Sequence, residues 1–190
     1  MKSKSKGFTL IELMVTIGIL GILVAVAGPN LTKYVRKAKT SEAIVNLKRL
    51  FEGSINYYYR SQDMTGRDGS VILPQFPGVG LAYGAAPARN ACCNQPANKC
   101  VPADTPGSPY PGAWDNSPWQ DLGFSVNSAH YYWYEYDTEG TGVNSRFTAR
   151  AMGDLNCNLA FSAFERVGGV DPESKAVIGG GGVFSINPLE

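Results

Sequence analysis

The chain has 190 residues, 44% of them hydrophobic, which allows one modest globular core beside an apolar segment. Its net charge of +1 conceals an uneven distribution: residues 31–60 carry seven basic and two acidic residues, whereas residues 61–190 carry seven basic and thirteen acidic residues. Because phosphate contacts need clustered lysine and arginine, the acidic distal part is not expected to bind nucleic acid directly.

The N-terminal region contains an apolar run from Phe8 to Gly28, in which Glu12 is the only charge. A helix of this length spans roughly 30 Å, the hydrocarbon thickness of a bilayer. A secretory signal would be shorter and would end in a small-residue cleavage site, which Ala25-Val26-Ala27 offers only superficially. The helical pattern continues beyond that tripeptide, so the run predicts a membrane helix that is retained.

Glu12 needs an explanation, because an acidic side chain costs about 2.5 to 3.5 kcal/mol near the centre of a bilayer. One interpretation is that Glu12 lies shallow enough to reach the lipid head groups. The other is that the chain is cut between Gly7 and Phe8, which creates an α-amine one helical turn before Glu12. The carboxylate would then neutralise an amine, and a pairing between chains would set the axial register of packed helices.

The segment Gly7-Phe8-Thr9-Leu10-Ile11-Glu12, with a short basic leader before it and Pro29 near the end of the apolar run, resembles type IV pilins and type II secretion pseudopilins. The resemblance implies that a prepilin peptidase cuts after Gly7 and methylates the amine of Phe8. It also implies that Glu12 pairs with the N-terminus of a neighbouring subunit during assembly. The family's fold is α+β, with a long N-terminal α-helix packed on an antiparallel β-sheet, a long loop and a disulfide-stapled distal region.

Four segments are predicted from this layout, the last of them in two parts. They are a leader peptide (1–7), a transmembrane and filament-core helix (8–30), the amphipathic half of that helix (31–60) and a globular head (61–190), whose parts are an irregular loop (66–124) and a β-sheet with the C-terminal region (125–190).

The helix is predicted to continue beyond Pro29, which removes one backbone hydrogen bond and is expected to kink or loosen it. Apolar residues then recur at spacings of three and four, which indicates a helical face that packs against the head. These residues are Ile44, Leu47, Phe51, Ile55 and Tyr58.

Four cysteines lie in the distal part, at Cys92, Cys93, Cys100 and Cys157. Their spacing matches no standard zinc pattern, and an even number in a loop-rich region favours disulfides in an oxidising compartment. Adjacent cysteines do not normally pair, so one of Cys92 and Cys93 is expected to bond Cys100 and the other Cys157. The sequence does not choose between the two pairings.

Strands are predicted at Ala129–Tyr136, Arg146–Gly153 and Leu159–Val167, separated by turns at Asp137–Val143 and Asp154–Asn158. Together they indicate an antiparallel sheet. The aromatic cluster in the first strand is interpreted as cross-strand packing, rather than as a sugar-binding or electron-conducting site.

Asp154, Asn156, Asn158 and Glu165 fall at positions one, three, five and twelve of an EF-hand-like calcium loop. The match is incomplete, because Leu159 stands where that loop needs glycine. Asp and Asn are also the usual residues of tight turns. No cofactor is expected, with calcium as the alternative.

The predicted function is that of a major or minor pilin, which polymerises through its N-terminal helix and supports adhesion, motility or DNA uptake. Expected partners are copies of itself and other pilins, the prepilin peptidase, the inner-membrane assembly machinery and the membrane before assembly. The expected location is the inner membrane of a Gram-negative bacterium and then the extracellular pilus.

Two alternatives remain. The first is a pseudopilin of a type II secretion system, in a periplasmic pseudopilus. The second is a membrane-tethered periplasmic enzyme or binding protein, for which a Ser-His-Asp arrangement would have to use His130, the only histidine. No nucleophile motif accompanies His130, so an enzyme is not expected.

Overall fold

A computed structural model describes residues 7–66, 68–79 and 84–190. Leader residues 1–6 therefore lie outside the described residues. Helix α1 (Leu10–Ser61) has 52 residues, a length of about 78 Å at 1.5 Å per residue. It runs through Pro29 without ending there. The membrane-type segment and the amphipathic segment are thus two halves of one helix.

Five antiparallel strands form one sheet beside the second half of α1. Strand β3 is central, because β2 pairs along one edge while the short β4 and β5 pair with different parts of the other edge. The predicted α+β fold is confirmed. The strands are β1 (Trp133–Glu139), β2 (Arg146–Gly153), β3 (Ser162–Val170), β4 (Val177–Gly179) and β5 (Phe184–Ile186).

The second strand has the predicted bounds, but the first and third are displaced. Strand β1 begins at Trp133 and continues to Glu139, so the predicted turn at Asp137–Val143 is wrong in its first three residues. The reason is a cross-strand ion pair, since Glu139 faces Arg146 in the register and its Oε1 lies 2.7 Å from the arginine Nε. Opposite charges at this position favour pairing to the end of the hairpin.

The helix buries most of the predicted face, with a small rotation that leaves Ile44 outside it. Leu47 and Tyr58 are buried, and Phe51 packs partly buried against the core. Ile44 is 46% exposed, whereas Ala43, Leu47 and Leu50 are fully buried. The buried stripe also contains the polar residues Asn46 and Ser54. It is therefore rotated away from the most apolar stripe, toward residues that can bond to the sheet.

The long segment between α1 and β1 contains little regular structure among its described residues, which agrees with the predicted irregular loop. It nevertheless supplies much of the core, through the buried rings of Trp114, Trp119 and Phe124. Helix α2 (Trp119–Leu122) approaches α1 at Gly53, where an added Cβ would lie 2.4 Å from the Leu122 carbonyl oxygen. Two 3₁₀ turns complete the fold, at Pro96–Asn98 and Gly142–Asn144.

Candidate assembly helix and its junction with the head

The N-terminus of α1 is closed by a capping box between Thr9 and Glu12. The Glu12 carboxylate accepts hydrogen bonds from the Thr9 backbone N–H at 2.9 Å and from its hydroxyl at 2.6 Å. In return, the Thr9 hydroxyl oxygen accepts from the Glu12 N–H at 3.3 Å. Two of the donors that a helix N-terminus leaves open are thereby satisfied.

The predicted cleavage bond, between Gly7 and Phe8, lies just before the helix, in a segment without regular structure. The Phe8 side chain is 76% exposed. This places the bond on accessible, non-helical backbone, which is the form in which a peptidase can bind it.

Among the residues that the structure describes, none covers the apolar side chains in the first half of α1. Its most apolar 18-residue window has a mean hydropathy of 2.6, and none of that window is buried. The large apolar residues from Leu10 to Val35 are between 49% and 77% exposed. By length and composition this segment can cross a membrane.

Glu42 joins the helix to the start of the sheet. Its carboxylate oxygens lie 3.0 and 3.2 Å from the backbone nitrogen of Tyr131, and one of them also accepts from Tyr132 at 3.3 Å. Burial raises the pKa of this carboxyl above its usual value, while the two backbone N–H groups and the charge of Lys99 oppose the shift. These backbone donors bond to Glu42 just before β1 begins at Trp133.

Two tyrosine hydroxyls on β1 bond to the buried polar residues of α1. Asn46 Nδ2 donates to the Tyr134 hydroxyl at 2.7 Å, and the Ser54 and Tyr136 hydroxyls are 2.6 Å apart. Burial raises the pKa of both phenols. Sequence reasoning missed Glu42, Asn46 and Ser54, although polar residues at helical spacing beside an apolar stripe were a signal for them.

His130 is 2% exposed, and its Nδ1 lies 2.8 Å from the Ser128 carbonyl oxygen. Burial lowers its pKa below the ordinary value of 6.5. Among the described residues, no polar group bonds to its Nε2. The imidazole is therefore not brought to a serine hydroxyl or a carboxylate, as a Ser-His-Asp arrangement would require.

The structure pairs Cys92 with Cys100 and Cys93 with Cys157. The first bond closes a short turn within the long loop. The second spans 64 residues and connects that loop to the turn between β2 and β3. Three-dimensional placement thus selects one of the two pairings that the sequence left open.

The calcium candidates divide between a turn and a strand. The two carboxylate oxygens of Asp154 accept the backbone N–H groups of Asn158 and Leu159, at 3.1 and 2.8 Å. Glu165 lies on β3, not on a loop, and its Oε2 accepts from Arg150 Nε at 2.8 Å.

Asn156 and Asn158 both donate side-chain N–H groups to the Glu190 carboxylate, at 2.8 and 3.3 Å. The side-chain oxygens of Asn156 and Asn158 accept the backbone N–H groups of Asn158 and Ala160, so the predicted ligand oxygens of the turn also serve its own hydrogen bonds. The following residues form a strand and not the helix of an EF-hand.

The described residues thus combine an exposed apolar helix, with a capped acidic residue in its first turn, and a disulfide-bonded α+β head. The family model described as the prokaryotic N-terminal methylation motif matches residues 2–28. The predicted resemblance to type IV pilins is thereby confirmed for this segment.

Relatives are similar over about a third of the chain. The type IV major pilin protein PilA of Myxococcus xanthus is 46% identical over 55 residues, which cover 29% of this chain and 25% of that protein. The fimbrial protein EcpC of Eikenella corrodens is 43% identical over 68 residues, covering 36% of this chain and 44% of that protein. The type IV major pilin protein PilE of Neisseria gonorrhoeae is also 43% identical over 68 residues, covering 36% and 40%.

The chain thus spans between a quarter and just under half of the length of these relatives. No solved structure matches the chain.

Proposed function

We propose that this chain is the structural subunit of a type IV pilus, which is cut after Gly7 and polymerises through its N-terminal helix. The observation that carries the proposal is the uncovered apolar half of α1, of which the head buries nothing in the most apolar window. A helix of this kind is stable in lipid but not in water. When the head moves to the cell surface, the apolar helices of neighbouring subunits would cover this segment.

The Glu12 carboxylate has an interaction partner both before assembly and in the filament. Before assembly the capping box satisfies its carboxylate within one chain, through Thr9. After cleavage the amine of Phe8 becomes a positive charge that can pair with the Glu12 carboxylate of a neighbouring subunit. Opposite charges attract strongly inside an apolar helix bundle, and a small displacement of one charge from the other weakens this attraction. The pairing therefore sets how far each subunit is shifted along the filament.

The proposal extends to the partners and the location. The methylation motif supports processing by a prepilin peptidase that also methylates Phe8. The three relatives are named as pilins or a fimbrial protein, which favours a pilus over a secretion pseudopilus. The subunit would wait in the inner membrane of a Gram-negative bacterium, where assembly machinery extracts it into the filament.

Expression of Glu12→Ala in the native host tests this function, with Glu52→Ala as the matched control. Glu52 is an exposed carboxylate on the same helix, paired with Lys48. E12A should insert into the inner membrane but be missing from sheared filaments, whereas E52A should be incorporated normally. Mass spectrometry of parent filaments should find a chain that begins at methylated Phe8. Normal incorporation of E12A, or an N-terminus after Ala27, would contradict the proposal.

A further inference from the structure

Basic side chains gather where the apolar half of α1 meets the head. We call this set the basic collar; four of its members lie on α1 and one on the disulfide-bonded loop, and they are Lys33, Arg36, Lys37, Lys39 and Lys99. No acidic residue occurs between Glu12 and Glu42. The collar is therefore a local excess of positive charge on a chain whose head is acidic.

The fold places Lys99, which is distant from the other collar residues in sequence, close to Lys39. Lys39 Nζ lies 4.4 Å from the centroid of the Tyr131 ring, and Lys99 Nζ lies 4.9 Å from the same centroid. Lys99 comes from a loop that is 60 residues further along the chain, next to Cys100. Two ammonium groups near one ring repel each other, so a nearby anion would stabilise this arrangement.

Glu42 interacts electrostatically with Lys99, but Glu42 and Glu190 both have other hydrogen-bond donors. Glu42 accepts the backbone N–H groups of Tyr131 and Tyr132, and Glu190 accepts from Asn156 and Asn158. In the part of the chain that the structure describes, no collar residue forms a salt bridge. Lys33 and Lys37 are exposed, and Arg36 donates only to the Leu189 carbonyl oxygen, at 3.1 Å.

The collar lies at head-group depth if the apolar run fills the bilayer core. Measured from Gly28, Lys33 is about 7.5 Å further along the helix axis and Lys37 about 13 Å. Head-group regions add roughly 5 to 8 Å on each side of the hydrocarbon, and lysine side chains extend several ångströms toward them. The exposed side chains of Leu31 and Tyr34 lie at the same level, as interfacial residues do.

We propose that the basic collar binds the phosphate groups of anionic phospholipids while the subunit is in the membrane. This inference rests on the proposed membrane-inserted state. Lys33, Arg36 and Lys37 meet the head groups directly, and Lys39 with Lys99 adds positive charge within one Debye length of them. Extraction into a filament breaks these contacts, so lipid binding holds the subunit in the membrane until the assembly machinery removes it.

The mature full chain, reconstituted in phosphatidylcholine bilayers, tests the proposal with trace spin-labelled phosphatidylglycerol or phosphatidylcholine. The measured quantity is the ratio of the motionally restricted fractions of the two labels. The parent should prefer phosphatidylglycerol by about threefold or more at about 0.05 M salt, and the preference should largely vanish at about 0.5 M salt. The double variant Lys33→Gln/Lys37→Gln should reduce this preference. Adding Lys39→Gln and Lys99→Gln to that variant should reduce the preference further.

The charge-matched control is Lys48→Gln with Lys175→Gln. Lys48 is 15 residues further along α1 than Lys33, and Val177, two residues after Lys175, bonds to Tyr59 near the far end of the helix. This variant should keep the preference of the parent. An equal association of the two lipids with the parent, or an unchanged preference in both collar variants, would overturn the inference.

The outcomes also separate the inference from the function on which it rests. A chain that fails to insert into the bilayer would overturn both. Insertion without lipid preference overturns only the collar's lipid role. If the parent inserts without lipid preference and K33Q/K37Q subunits are missing from filaments, the collar would be assigned to contact with the acidic head of a second copy.

Discussion

Asn46 of helix α1 donates a 2.7 Å hydrogen bond to the hydroxyl of Tyr134 on β1, 88 residues further along the chain, and both side chains are buried. Two turns further along the helix, Ser54 bonds to Tyr136, the next residue of β1 on the same face. The two bonds fix both the rotation of the helix and its position along the strand. Apolar packing alone would permit small displacements, whereas a buried polar group must meet its partner.

Substitution of either partner should destabilise the head. Asn46→Ala leaves the Tyr134 hydroxyl buried without its donor, and Tyr134→Phe leaves the Asn46 amide without its acceptor. Each should lower the free energy of unfolding by about 1 to 3 kcal/mol. Urea unfolding of the full chain in detergent, followed by fluorescence of the three tryptophans, measures this.

The double variant should lose less than the sum of the single losses, because neither partner is then left alone. Asn56→Ala is the matched control, since Asn56 is an exposed asparagine on the same helix. Additive losses in the double variant would show that the hydrogen bond does not couple the two residues.

Glu42 should make the stability of the head depend on pH. Its folded pKa is raised above the ordinary value of 4.5 by burial. As the pH rises through 4.5, the unfolded chain releases this proton first, so the contribution of Glu42 to the free energy of unfolding falls until the folded pKa is passed. Glu42→Gln removes that dependence and keeps one acceptor oxygen for the Tyr131 and Tyr132 N–H groups.

The free energy of unfolding of E42Q should therefore rise relative to that of the parent as the pH increases from about 4 to about 7. Urea unfolding across this range measures it, with Glu52→Gln as the exposed control. Glu42→Ala should be less stable than E42Q at every pH, by about 1 to 3 kcal/mol, because two backbone donors lose their acceptor. A constant difference between E42Q and the parent would contradict the raised pKa.

His130 should titrate below its ordinary pKa of 6.5 in the folded chain, because burial disfavours the charged imidazolium. It is the only histidine, so its ring proton resonances in the NMR spectrum need no assignment by mutation. The unfolded state binds the proton more readily, so this residue reduces stability as the pH falls through 6.5 toward the folded pKa. A folded-state midpoint at or above that of the urea-unfolded chain would contradict the burial of the ring.

The two disulfides should contribute unequally to stability. Cys93–Cys157 spans 64 residues and Cys92–Cys100 only eight. In the chain-entropy account, loss of the longer link costs about 4 kcal/mol and loss of the shorter about 2.5 kcal/mol. Paired replacement by serine, followed by urea unfolding, tests this order. Peptide mapping without reduction should first recover the two pairings, and recovery of Cys92 with Cys157 would contradict them.

The N-terminal features could be predicted because their signals are local. The apolar length of residues 8–28 determines a membrane-type helix, and Thr9 followed three residues later by Glu12 is itself a helix start. The alternation in β2 likewise identified a half-buried strand, since adjacent strand residues point to opposite faces.

The tertiary structure decided those features that depend on contacts between residues far apart in the sequence. Tyr131 and Tyr132 look like strand residues, but Glu42 takes their N–H groups, and the first strand begins only at Trp133. Ile44 looks like a core residue but is exposed, because Asn46 and Ser54 turn the helix toward the tyrosine hydroxyls.

By itself, the sequence determined that this protein carries an apolar helix with an acidic residue in its first turn, because length, charge and capping are properties of neighbouring residues. Only the tertiary structure decided which cysteines pair, how far the buried face of α1 is rotated and how Lys99 joins the lysines of α1. Each of these depends on contacts between segments that are far apart in the chain, and such contacts form only when the head folds.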